Sequence, residues 1–128
     1  MSSSKYPFLL ISVLGDFWNQ VLEDALAPLG LLQVAAEESA MGLVIKDEYA
    51  AIIIVAGNVS NFGLLTSRVR AQQPRARVII VSTSLTWQRA REAFRSGATD
   101  YIFQSVDKAE LLALVKTALA KPLTPWPQ

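Results

Sequence analysis

Few side chains in this chain can do chemistry, and the missing types decide more than the present ones. There is no cysteine and no histidine in the 128 residues. Zinc and iron–sulfur ligation, thiol chemistry and Ser-His catalysis are therefore excluded. Neither G-x-G-x-x-G nor G-x-x-x-x-G-K-[ST] occurs. Gly57, Gly63 and Gly97 are scattered, as turn and cap residues are. Asp16 is the one acid just beyond the first apolar run, where it also fits a helix N-cap. Ser82-Thr83-Ser84 ends another run, and offers either a hydroxyl for a phosphoryl oxygen or a loop and helix cap. These residues form no constellation of an enzyme, and no metal or cofactor is expected.

The elements that position them follow from the apolar pattern. Continuous apolar runs predict buried strands over Pro7–Val13, Leu31–Ala36, Ala50–Ala56, Arg77–Ser82 and Asp100–Phe103. Spacing of three and four predicts a helix over Phe17–Leu29 that buries Trp18, Val21, Leu22, Ala25 and Leu26 and stops at Gly30. Further helices are predicted over Ser39–Asp47, Gly63–Gln73 and Thr86–Ser96. The last follows the Asp107/Glu110 capping pair to Ala120, with Leu111, Leu114, Val115 and Ala118 inward. The order is strand–helix five times, in one domain with a core over about residues 7–120 and a Pro-rich tail at 121–128. Strands apolar throughout imply a parallel sheet covered on both faces. The expected fold is α/β, a flavodoxin-like (βα)5 three-layer sandwich with strand order 2-1-3-4-5.

The segment Ala93-Phe94-Arg95-Ser96-Gly97-Ala98-Thr99-Asp100-Tyr101-Ile102 resembles the turn between the fourth helix and fifth strand of CheY-like response-regulator receiver domains, which reads roughly A-x-x-x-G-A-x-D-Y. The resemblance extends over about Pro7 to Leu119. It implies a site at the carboxyl ends of the strands: two adjacent acids that hold magnesium, a phospho-accepting aspartate, a switch hydroxyl, a switch aromatic and a lysine. The acid pair falls on Val13 and Leu14, or on Ser12 and Val13 with a slip of one. The nucleophile lies eight residues before Gly63 and falls on Val55, with Ala56, Gly57 or Asn58 as slips; Val59 replaces the family's proline. The hydroxyl falls on Ser82 and the aromatic on Tyr101, and each also reads as an ordinary structural residue. The lysine and proline are replaced by Gln104-Ser105. Acids, nucleophile and cation are lost together, as expected where a charge-balanced site has degenerated. The resemblance thus implies a pseudo-receiver: a phosphorylation-independent interaction or dimerisation module of bacterial signalling. The alternative is a flavodoxin-like sensor that binds a small ligand in the former pocket, walled by Val13, Leu14, Val55 and Ala56. The tail also allows a regulatory fragment of a longer regulator.

Charge is segregated although the net charge is only +1. Residues 68–95 hold seven arginines against Glu92, whereas residues 1–67 hold seven acids and two lysines. The basic flank reads either as solvated helix faces or as a surface for an acidic partner. Nucleic acid is not expected, because no reading helix or row of stacking aromatics accompanies the arginines. Receivers communicate through the face of the fourth helix, fifth strand and fifth helix. The corresponding residues are Trp87, Arg91, Asp100, Tyr101, Glu110, Leu112 and Lys116, which predict a protein partner or a weak homodimer. Two cross-pairs are expected in that dimer, Arg91 with Glu110 and Asp100 with Lys116. The Phe8–Leu14 run is too short for a bilayer and has no cleavage pattern after it, and the lack of cysteine fits a reducing, cytoplasmic setting.

Overall fold

A computed structural model describes residues 5–121; residues 1–4 of the Met1–Tyr6 start, expected to be loose and polar, and the Pro-rich tail beyond Lys121 lie outside them, whereas Tyr6 already opens the first strand. In chain order the elements are β1 (Tyr6–Ile11), α1 (Phe17–Leu26), β2 (Gly30–Ala35), α2 (Glu37–Lys46), β3 (Ala51–Val55), α3 (Phe62–Gln72), β4 (Arg77–Ser82), α4 (Trp87–Ser96), β5 (Asp100–Phe103) and α5 (Lys108–Ala120). A single 3-10 turn, Ala56–Asn58, follows β3. All strand pairs are parallel, in the order β2-β1-β3-β4-β5. This is the flavodoxin-like α/β fold.

Two cores sandwich the sheet. Leu9, Ile11, Ile52, Ile54, Val78 and Ile80 face α2, α3 and α4, where Val44, Phe62, Leu65, Val69 and Ala93 meet them. The alternate residues Phe8, Leu10, Ile53, Val55, Ile79 and Val81 face α1 and α5 and meet Trp18, Leu22, Leu26, Leu111 and Val115. Period-two alternation thus supplies both faces, and every residue of β3 is buried. Full burial of Ile52, Ile53 and Ile54 contributes about 1.5–3 kcal/mol each.

Side-chain caps start four of the helices. Asp16 accepts from the Trp18 amide (2.9 Å), Asn61 from Leu64 (3.0 Å), Thr86 from Arg89 (3.2 Å) and Asp107 from Glu110 (3.1 Å). Gly97, with φ of 118°, closes α4 in the left-handed conformation that favours glycine. Gln73 was not singled out by pattern. It is buried between α3 and β4, accepts from the Tyr49 amide, and donates to the carbonyls of Val44 and Asp47. One side chain thereby pins the end of α2 to the start of β3.

The predicted boundaries differ from the structure at several ends. The first helix stops at Leu26, not Leu29, because Pro28 cannot extend it. Gly30 is therefore not its stop but the first residue of β2, hydrogen-bonded in register beside Tyr6. β1 ends at Ile11, two residues short of Val13. α2 starts at Glu37, where two glutamates in the first turn complement the helix dipole. Leu114 is only half-buried. Among the described residues no helix is long and apolar enough to cross a membrane.

Two glycines give opposite predictions. A Cβ on Gly30 would lie 1.9 Å from the Tyr6 carbonyl oxygen, so Gly30→Ala should force β1 and β2 apart and destabilise the fold by about 1–3 kcal/mol. A Cβ on Gly42, inside α2, meets nothing within 4 Å. Gly42→Ala should stabilise by about 0.5–1 kcal/mol. Urea denaturation of both variants checks the sign of each.

Candidate functional site

The carboxyl ends of the strands lie at one edge of the sheet, and the loops there gather a small polar cluster. Ser12 follows the last residue of β1 and is buried; its amide donates to the Ala35 carbonyl at 3.0 Å. Asn58, in the turn after β3, reaches across to α1. Its Nδ2 donates to Ser12 Oγ at 3.0 Å and to Asp16 Oδ2 at 3.1 Å. The other oxygen of Asp16 caps α1. Asn19, one turn on, donates to the Val13 carbonyl at 2.9 Å and holds that loop. The amide of Asn58 thus sits between a carboxylate and a hydroxyl.

The cluster does not fit a divalent cation. Such an ion takes six or more oxygens and usually one or two carboxylates. Asp16 is the only carboxylate in the cluster, and both its oxygens are engaged. Among the described residues no three of His, Cys, Asp and Glu gather anywhere.

The other predicted site residues divide among different roles. Of the two placements of the acid pair, the strand end favours Ser12 and Val13. Val13 and Leu14 are 51% and 62% exposed, beyond the strand. Val55 ends β3 next to Val81 and is buried against the α1–α5 core. Ala56 packs on the opposite side of the sheet. The four residues expected to wall a ligand pocket are thus divided between solvent and two separate cores. Gln104 is half-buried, with its amide on the Ser82 carbonyl (2.9 Å).

Ser82 Oγ makes a local turn, accepting from the Ser84 amide (3.0 Å) and donating to the Ser84 carbonyl (3.2 Å). The half-buried Tyr101 hydroxyl donates to that same carbonyl at 2.6 Å. Ser82 and Tyr101 therefore meet at Ser84, which ties the loop after β4 to β5. Trp18 Nε1 donates to the Ser105 carbonyl at 2.7 Å, so α1 holds the loop after β5. The sequence reading marked Trp18 as core and Asn58 only as a slip position. A tryptophan one residue into the helix after a capped Asp16 was the available signal for the first; the second had none.

On the α4-β5-α5 face, Trp87, Arg91, Glu110 and Lys116 are exposed, and Leu112 and Tyr101 are half-buried. Asp100 departs from expectation. It starts β5 at the amino edge of the sheet, its side chain is only 15% exposed, and it pairs with Lys121. It is not free to meet Lys116 of a second copy. Trp87 and Arg91 also border a trough between α3 and α4.

No family model and no curated protein matches this sequence. Solved structures do match. A response regulator from Thermotoga maritima superposes with a TM-score of 0.84 at 17% identity, over 92% of this chain and 100% of that one. An orphan response regulator of H. pylori gives 0.79 at 19% identity, over 92% and 99%. The signal receiver domain of an HD domain-containing protein from Pseudomonas fluorescens Pf-5 gives 0.77 at 22% identity, over 91% and 95%. Identities this low speak for fold: this chain has the fold of a response-regulator receiver domain.

Proposed function

We propose that this chain is a pseudo-receiver, a non-catalytic module that acts by binding protein without being phosphorylated. One observation carries the reading. At the strand ends, Val55, which the family resemblance aligns with the nucleophile, lies in the apolar core, and the Asn58 amide ties Ser12 to the single carboxylate, Asp16. The neutral amide donates to both oxygens and adds no charge, whereas a metal ion or a lysine would add positive charge. A setting in the cytoplasm and a role in bacterial signalling go with this reading. The sensor alternative gains nothing from the placement of Val13, Leu14, Val55 and Ala56 described above.

The partner surface in this reading includes the α4-β5-α5 face, in a weak homodimer. Arg91 and Glu110 remain as a symmetric cross-pair, while Asp100 is withdrawn from that role by Lys121. Exposed pairs contribute about 0–1 kcal/mol each, so Trp87, Leu112 and the Tyr101 ring must supply most of the affinity.

Three outcomes are expected. Magnesium with beryllofluoride should produce no saturable change in tryptophan emission, although Trp18 touches the loop after β5. Acetyl phosphate should add no phosphoryl mass, either to the wild type or to Val55→Asp. That variant should also lose about 3 kcal/mol or more for its buried carboxylate. A phosphoryl adduct on either protein would overturn the reading.

Asn58→Asp should place a second carboxylate against Asp16. Like charge raises the carboxyl pKa in the folded state. The folded variant then holds more protons than the unfolded chain, so its stability should rise as pH falls from 7 toward about 4. At pH 7 it should be less stable than wild type by about 1–3 kcal/mol, and millimolar magnesium or calcium should recover part of the loss. Thermal melts with and without chelator read both effects; a variant as stable as wild type in chelator at pH 7 would show that the amide bridge does not matter.

Sedimentation should give a dimer in the micromolar range (about −8 kcal/mol), and Leu112→Glu should abolish it. A strict monomer at high concentration would remove the face from consideration.

A further inference from the structure

The third and fourth helices carry arginines that no acid among the described residues pairs with. Two ion pairs occur among the described residues, Lys108–Asp24 and Lys121–Asp100, and neither involves an arginine. Guanidinium hydrogen bonds are confined to Arg70, on the Ala76 carbonyl, and Arg77, on the Lys121 carbonyl. Arg68 on α3 and Arg89, Arg91 and Arg95 on α4 are exposed and have neither kind of partner. Glu92, the only acid in this stretch, does not pair with its arginine neighbours. Its carboxylate lies over Gly63, 2.8 Å from where a Cβ on that glycine would be.

Trp87, Arg91 and Arg95 recur every four residues along α4. They therefore form one stripe, with successive members about 6 Å apart. The stripe borders an open trough of about 330 Å³ between α4 and α3, with Ser67 on the α3 side. Trp87 is 72% exposed at one end of it. A large ring left in water beside unpaired guanidiniums has the composition of an interface anchor.

We infer that this α3–α4 trough docks an acidic amphipathic segment of another protein. Carboxylates one helical turn apart on the segment meet Arg91 and Arg95, and an apolar side chain covers Trp87. The inference rests on the reading of this chain as an interaction module, and the trough shares Trp87 and Arg91 with the dimer face, so the segment and a second copy compete. Other occupants fit less well. A small ligand is normally enclosed over most of its surface, and this trough is open. A single-stranded nucleic acid needs a row of stacking rings, and the trough offers one. In a second copy, two of the acids are already engaged, Glu37 with Ser60 and Asp24 with Lys108.

The test uses the full chain and a fluorescein-labelled helical peptide of about 15 residues, with Glu at one-turn spacing and Leu on the same face. Fluorescence anisotropy should show binding that weakens as salt rises. Arg91→Glu combined with Arg95→Glu should weaken it about tenfold or more, and Trp87→Ala severalfold. Arg75→Glu combined with Lys5→Glu makes the same change in net charge elsewhere and should leave affinity within about twofold. Circular dichroism checks that each variant is folded. Equal weakening by both double variants, no binding at low salt, or tighter binding of ATP or of a single-stranded oligonucleotide would each overturn the inference. Leu112→Glu leaves the trough residues in place and should still bind the peptide. With the beryllofluoride experiment reading the former pocket, failure of the trough is distinguishable from failure of the wider reading.

Discussion

A parallel sheet must have both faces covered, and the rest of this molecule follows from that requirement. Each strand of the centre presents one set of side chains to α1 and α5 and the alternate set to α2, α3 and α4. Backbone groups of β3 can be satisfied only by β1 and β4, and their side chains only by two helical layers. Right-handed crossovers then bring every βα loop to the same edge. The candidate site is there because of the sheet, whatever residues the loops carry.

The loops at that edge are ordered by hydrogen bonds among their own residues. The cluster has one carboxylate, Asp16, and its two oxygens are taken by a helix amide and by Asn58. Ser12 shares the same donor. Val55 meanwhile joins the core beneath, so apolar packing continues to the end of β3. Hydrogen bonds from Trp18 to Ser105, and from Tyr101 and Ser82 to Ser84, tie the remaining loops together.

The surface is less self-contained than the interior. The four side-chain caps and the Gln73 network are satisfied internally, whereas Arg68 on α3 and Arg89, Arg91 and Arg95 on α4 have no partner among the described residues. Solvated arginine is no burden to a monomer, so their presence alone decides little. What distinguishes them is position: three residues at four-residue spacing, one of them tryptophan, beside a trough that a second segment can enter.

Composition and periodicity by themselves determined the class, the ten main elements and the strand order, because apolar runs and helical spacing are local and the crossover rule leaves few topologies. Arg77–Ser82 and Asp100–Phe103 are read correctly to the residue, since Gly97 and the polar residues on either side mark their ends. That Val55 is not an acid and Gln104 is not a lysine was equally legible, as a matter of residue type. Only the tertiary structure decided the contacts between segments distant in sequence. Where β1 stops, and hence that Ser12 is buried while Leu14 is exposed, follows from its pairing with β2 through Ala35. Asn58 lies 46 residues from Ser12 and 42 from Asp16, and no pattern in a single sequence joins them. Asp100 looked available for a partner until the end of α5 brought Lys121 to it. Side-chain periodicity reports which face a residue is on; which distant group it meets there is set by how the layers pack.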